Sequence, residues 1–282
     1  MSIAGPAPEV EAVRRKASGS SFYAAMRLMA KPQREAMFAI YAFCRAVDDV
    51  ADDGIGSRDE RRRQLDLWRD DLAALYRGGE PGRAAFLTGV VRQFHPRLED
   101  FAAVIDGMQM DVDADIVAPP LQVLDLYCDR VASAVGRLSI KVFGMEEEAG
   151  FALSRHLGRA LQLTNILRDL DEDAAAGRLY LPREYLEQAG VSAIEPHRVL
   201  ADPAIGKACE PMADLAHGYY LAAAAVMRRR PAGDLRAPRL MGAVYLEILK
   251  RMQAEGWAPP RRRIHVPKAQ LAWLALRHAI AA

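Results

Sequence analysis

Asp48, Asp49, Asp52 and Asp53 crowd the end of a single apolar run in which Met37, Phe38, Ile40, Tyr41, Phe43, Cys44 and Val47 recur at helical spacing. Asp48 with Asp52, and Asp49 with Asp53, stand four apart, so each pair shares one helix face. Like charges at that spacing cost about 0.2–0.5 kcal/mol per pair. The C-terminal end of a helix already disfavours anions, and only Arg45 is close enough in sequence to help. A hard divalent cation with oxygen ligands would relieve the conflict. Mg²⁺ binds through one or two carboxylates together with substrate phosphates. A solvated acidic helix end is the competing account of this stretch.

A second run, Leu161-Gln-Leu-Thr-Asn-Ile-Leu-Arg-Asp-Leu-Asp-Glu-Asp173, repeats the design far along the chain. Asn165, Asp169 and Asp173 are spaced by four and point to one side over two turns. Gln162 and Asn165 interrupt what would otherwise be a buried face. Two such faces across a cavity would hold Mg²⁺ ions with a diphosphate between them. Arg45, Arg168 and Arg178 are placed to give phosphate bidentate hydrogen bonds. A di-iron carboxylate bundle would need Glu-x-x-His pairs. No glutamate here is followed by histidine at that spacing, and the six histidines form no metal-binding group.

Nearly every segment that must position these faces has helical periodicity. Helices are expected from Ser20 to about Met29, then from Pro32 through the first acidic run, and over 58–76, 82–94 and 98–112. A long helix is expected over 121–143, stopped by Gly144, and another over 146–173. Residues 178–182 read as a short extended linker. A short helix at 183–188 and long ones at 203–230, 238–257 and 268–281 complete the chain. The expected fold is all-α: a single-domain helical bundle (18–282) with a central apolar cavity, behind a flexible N-terminal tail (1–17).

The 282 residues are 51% hydrophobic and 27% charged, with a net charge of +1, which excludes a disordered chain and argues against a nucleic-acid binder. No uncharged apolar run reaches the roughly 18–20 residues of a membrane span, and residues 1–16 have no signal-peptide core. Cys44, Cys128 and Cys209 read as reduced, buried thiols. A cytoplasmic protein is expected, with a peripheral visit to the inner membrane as a further expectation. Arg61–Arg63 and Arg228–Arg230 read as solvated helix faces. Arg261–Arg263, followed by Leu271, Trp273, Leu274 and Leu276, reads as a final helix packing on the bundle or a basic amphipathic tail on an anionic membrane.

The two acidic runs, with Tyr127-Cys-x-x-Val-Ala-x-x-Val-Gly136 and Gly177-Arg-x-Tyr-Leu-Pro182, resemble the squalene/phytoene synthase family over roughly Ser18 to Arg263. The resemblance implies an isoprenoid-synthase fold, bound Mg²⁺ and head-to-head condensation of two allylic diphosphates. The stretches 38–45 and 131–139 are most similar to the bacterial hopanoid-pathway branch. That branch joins two farnesyl diphosphates into presqualene diphosphate and leaves reduction to downstream enzymes; phytoene-forming and squalene-forming members are the alternatives. By position, Asp48, Asp52, Asp169 and Asp173 would bind metal-diphosphate, with Asn165 beside them. Ser20, Ser21 and Arg45 match donor-diphosphate contacts, although Gly19 stands where relatives often carry a polar residue. Tyr127 matches a tyrosine near the reacting carbons, Gln162 lines the same cavity, and Tyr245 and Arg263 match holders of the second diphosphate.

Phe22, Tyr41, Phe43 and Tyr245 are candidates for cation–π stabilisation of carbocations, with ordinary core packing favoured for Phe43. No Gly-x-Gly-x-x-Gly fingerprint for a nicotinamide cofactor is present. Asp48-Asp49-x-x-Asp52 also fits chain-elongating prenyltransferases, but these usually carry a second such motif. A non-catalytic helical interaction module would leave the paired aspartate faces unexplained.

Overall fold

The computed structural model describes residues 21–52 and 56–280. The expected N-terminal tail, Ser20 and Asp53 lie outside the described residues, as do the side chains of Ser21, Phe22 and Asp52. The helices, in chain order, are α1 (Ser21–Met26), α2 (Lys31–Asp52), α3 (Arg58–Arg77), α4 (Thr88–Phe94), α5 (Leu98–Asp113), α6 (Leu121–Cys128), α7 (Ala134–Phe143), α8 (Glu147–Arg168), α9 (Leu170–Ala175), α10 (Arg183–Gln188), α11 (Pro196–Ala201), α12 (Ile205–Arg228), α13 (Arg236–Glu255) and α14 (Lys268–Ile280). Among the described residues there is no strand, and the all-α expectation holds.

Local chemistry sets the helix ends. Ser57 Oγ accepts from the Glu60 amide, opening α3 with a Ser-x-x-Glu box, and Gly78 closes it in the left-handed conformation. Gly144 ends α7 in the same way at φ 67°. Helix α8 is the hub, packing on α7, α12 and α13. On the opposite flank Phe43 of α2 lies edge-on to Phe101 of α5 and Trp68 of α3, with ring centroids 5.1 and 5.7 Å away. Phe43 is fully buried there, so it is a core residue.

Three expected helices are interrupted. Residues 82–94 begin as a 3₁₀ turn (Gly82–Leu87), because the Asp71 carboxylate takes both the amide and the Nε of Arg83. The expected helix over 121–143 contains a π-helical turn at Asp129–Ser133, directly after Tyr127. Arg159 of α8 pins that turn: its guanidinium reaches both Asp125 carboxylate oxygens at 2.7 and 2.9 Å, and Asp129 and Ser133 Oγ at 3.0 Å. One residue earlier, α8 comes so close that a Cβ on Gly158 would lie 2.8 Å from the Ser133 Cα and N. A backbone clash cannot be relieved by a rotamer change. Gly158→Ala is therefore expected to lower stability by about 1–3 kcal/mol in denaturant melts. Gly218→Ala, at an open, exposed position inside α12, is expected to raise it by up to about 1 kcal/mol.

The third interruption falls at Asp169, which separates α8 from α9 at φ −105°, ψ 20°. Adjacent side chains of a regular helix do not face each other, yet Arg168 grips the Asp169 carboxylate through Nε and Nη2 at 2.8 and 2.6 Å. The break permits that pair. The amide bonds Asp169 to Asn165 and Asp173 to Asp169 persist at 2.9 Å, so the three-residue ladder survives it.

Residues 178–182 are extended as expected. Leu179 pairs with the chain at Val117, donating to the Ile116 carbonyl and accepting from the Ala118 amide, both at 2.8 Å. This short bridge sets Tyr180 beside Tyr127.

Candidate active site

At the end of α2, Arg45 spans two acids, with Nη1 on Asp48 and Nη2 on Asp49 at 2.5 and 2.6 Å. Tyr41, one turn earlier, is half-buried. Burial raises its pKa, Arg45 opposes this, and the Asp48 charge and the Tyr245 hydroxyl add to it. Tyr245 of α13 in turn lies under the Arg168 guanidinium, 5.8 Å from ring centroid to Cζ. Burial works against the Arg168 charge, but Asp169 and Tyr245 outweigh it and hold the group protonated. Tyr41 thus feels the charges of both Asp48 and Tyr245, and Tyr245 meets Arg168, which holds Asp169, so the ends of α2 and α8 share one electrostatic neighbourhood.

The second face is more crowded. Arg263 reaches Asp169 at 3.1 Å and Glu172 at 3.3 Å. Arg261 takes both oxygens of Asp171, at 3.1 and 2.7 Å. Arg261 and Arg263 thus fold back onto the acidic run instead of forming a basic patch ahead of α14, while Arg262 pairs with Glu255. Asp173 has a pKa raised to about 7, first by burial and then by Asp169, with Arg178 opposing and Glu172 and Asp111 adding to the rise. Asn165 Oδ1 is buried with no hydrogen-bond partner among the described residues.

Sequence reasoning missed Asp111 and gave Tyr180 no role. Asp111 is buried on α5, and both tyrosine hydroxyls donate to it, Tyr127 at 3.0 Å and Tyr180 at 2.8 Å. The two rings stack with centroids 5.0 Å apart. Burial, then the neighbouring Asp111 charge, pushes the Tyr127 pKa well above its ordinary value. A signal was present, since Asp111 continues the face of Phe101, Val104, Ile105 and Met108. An acid on an apolar stripe is almost never fully buried without a partner.

An apolar cavity of about 150 Å³ lies between α2, α7, α8 and α13, lined by Met37, Gly136, Leu161 and Met241 among others and by none of the acids. At 1.5 Å per residue, Asp169 stands about 12 Å along α8 from Leu161, and Asp48 about 16 Å along α2 from Met37. Each of the two helices therefore runs from a residue of this lining to its acidic C-terminal end. Gln162, expected to line it, stands half-buried one residue beyond Leu161 and outside that lining.

Among the described residues no three acids, histidines or cysteines are gathered tightly enough to hold a metal by themselves. The donor set still suits a hard cation that arrives with its own phosphate ligands. It offers a free buried amide oxygen at Asn165 and an acid at Asp173 that burial, and then the Asp169 charge, push toward protonation.

The model of the squalene/phytoene synthases matches residues 15–270. A presqualene diphosphate synthase of Rhodopseudomonas palustris is 54% identical over 97% of this chain and 98% of its own. One from Zymomonas mobilis is 55% identical over 93% and 89%. A dehydrosqualene synthase crystal structure superposes with a TM-score of 0.80 at 25% identity, covering 95% of this chain and 94% of that one. Two arginine-clasped acidic helix ends, on helices that line one apolar cavity, thus stand on a chain that belongs to the squalene/phytoene synthase family.

Proposed function

We propose that this enzyme joins two molecules of farnesyl diphosphate head to head to give presqualene diphosphate. The observation that carries the reading is the pair of arginine-clasped acidic ends on α2 and α8, two helices that line one apolar cavity. Asp48, Asp52, Asn165, Asp169 and Asp173 would hold Mg²⁺, which when bound neutralises charge on the departing diphosphate. Ser20, Ser21, Arg45, Arg168, Arg178 and Arg263 are the proposed diphosphate contacts. The arginines are planar, permanently charged and already aimed at anions, so exchanging a carboxylate for a phosphate needs little reorganisation.

The first farnesyl group loses diphosphate as its C1–O bond breaks, leaving an allylic cation. The double bond of the second attacks that carbon, and loss of a proton closes the cyclopropane. The apolar cavity keeps water from the cation, while the Tyr41 and Tyr245 rings offer cation–π contact. Tyr127 donates its proton to Asp111 and has a raised pKa, so it is a poor base. The released diphosphate takes the proton, and Tyr127 orients the reacting carbons.

Among the described residues no helix is long and apolar enough to cross a membrane. A cytoplasmic enzyme with peripheral contact at the inner membrane suits an amphiphilic product handed to reductive isoprenoid enzymes. Incubation of the purified protein with farnesyl or geranylgeranyl diphosphate tests the reading, with Mg²⁺ or excess EDTA and with or without NADPH, and mass spectrometry of the products. Presqualene diphosphate from the farnesyl substrate, abolished by EDTA and indifferent to NADPH, is the expected result. Squalene appearing only with NADPH, or phytoene formed preferentially from the longer substrate, would replace it.

A further inference from the structure

A second cavity, about 570 Å³, opens between α12, α13 and α14. Its rim carries Arg228, Arg230, Arg239 and Arg277, and no acidic side chain lines it. Its walls are largely apolar, and Leu157 lines both this cleft and the apolar cavity described above. Arg228 and Arg230 are exposed and make no ion pair among the described residues. On α14 the Arg277 guanidinium lies 5.4 Å from the centre of the Trp273 ring. Trp273 is 55% exposed and Leu276 61%.

Solvated helix faces normally intersperse both signs of charge and keep large apolar groups inside. This face does neither: four arginines ring an apolar cleft, with a tryptophan and a leucine standing proud beside them. Positive charge plus protruding amphipathic aromatics complements an anionic lipid surface, where tryptophan settles at headgroup depth. We propose that this arginine-rimmed face docks the enzyme on an anionic phospholipid bilayer, with Trp273 and Leu276 entering the headgroup layer and the cleft accepting a lipid phosphate. The proposal deepens the membrane contact inferred above. It draws its purpose from that reading, since an amphiphilic product would form in a cavity that shares a lining residue with the docked face.

Vesicle flotation without substrate tests docking independently of what the enzyme condenses. The full-length protein is expected to float with phosphatidylcholine vesicles containing phosphatidylglycerol, to stay behind with pure phosphatidylcholine, and to be released by 0.5 M NaCl. A basic side chain near an anionic surface contributes about 1 kcal/mol. Each of Arg228→Gln and Arg230→Gln should therefore weaken partitioning about fivefold, and the pair about 25-fold, while Arg92→Gln on the far exposed end of α4 leaves it unchanged. Circular dichroism at 222 nm checks that the variants fold, and the lipid and salt arms need no variant. Equal flotation with both vesicle types, or wild-type partitioning by the double variant, overturns the proposal. A melting temperature raised by inorganic phosphate without any flotation would assign the arginines to a soluble anion and overturn it equally.

Discussion

Asp169→Asn is expected to lower turnover of farnesyl diphosphate by about a hundred- to thousandfold, the usual loss when a group preplaced for developing charge is removed. The side chain keeps its shape and loses only its charge. Three consequences converge at this position. Asp169 is the middle rung of the Asn165–Asp169–Asp173 ladder, joined to both neighbours by 2.9 Å backbone bonds. Its carboxylate holds Arg168 at the site and receives Arg263 from the other side. Its charge is also among the causes that keep the Asp173 pKa raised. Steady-state kinetics across a Mg²⁺ titration should show both a reduced plateau and a higher metal requirement.

Asp171→Asn supplies the discriminating comparison. Asp171 belongs to the same acidic run, but its side chain is 56% exposed and paired with Arg261. Exposed pairs contribute about 0–1 kcal/mol, so its replacement should leave turnover within about threefold of wild type. If Asp169→Asn also stayed within threefold at saturating Mg²⁺, the second acidic face would have no part in the chemistry.

That contrast between two acids in one run marks how far the sequence could be read. Four-residue spacing shows that Asn165, Asp169 and Asp173 share a side, because helical periodicity is a local property. It does not show that Arg168 turns onto its own neighbour, since a regular helix forbids that contact and only the break at Asp169 permits it. The π-helical turn after Tyr127 was hidden for a similar reason: it depends on Gly158 and Arg159, nearly thirty residues on and on another helix. The basic clusters could be read as solvated, and Arg228 to Arg230 are exposed as expected, but their partners could not be read. Arg261 and Arg263 find acids only once the chain folds back on the α9 acids, whereas Arg228 and Arg230 find a cleft and no acid. Asp111 was legible in principle, as a charge on an apolar stripe, but its two tyrosines come from α6 and the 178–182 linker.

Asp173 should make the metal-free protein lose stability as pH rises from about 4 to about 7, opposite to the behaviour of a salt-bridged aspartate. Its folded pKa is near 7, whereas an unfolded aspartate titrates near 3.9. Between those values the folded state holds a proton that the unfolded state has released. Stability therefore falls through the window and levels above its upper edge. At about 1.4 kcal/mol per pH unit the loss is on the order of 4 kcal/mol, readable as a falling denaturant midpoint. Asp173→Asn, which cannot ionise, should flatten that slope and leave the variant more stable than wild type at pH 8. The same carboxylate must be ionised to ligate a cation. Affinity for Mg²⁺ with inorganic pyrophosphate should then rise up to tenfold per pH unit below about 7 and plateau above it. Titration calorimetry at pH 6 in two buffers of different ionisation enthalpy should register close to one more proton released per complex by wild type than by Asp173→Asn, the protons shed by pyrophosphate itself being common to both. A difference of zero, together with a pH-independent midpoint, would mean that Asp173 is already ionised in the folded protein and that its neighbours compensate its charge without a metal. Stability lost on ionising Asp173 is recovered when the cation arrives, so the acid face is least comfortable in the state that waits for substrate.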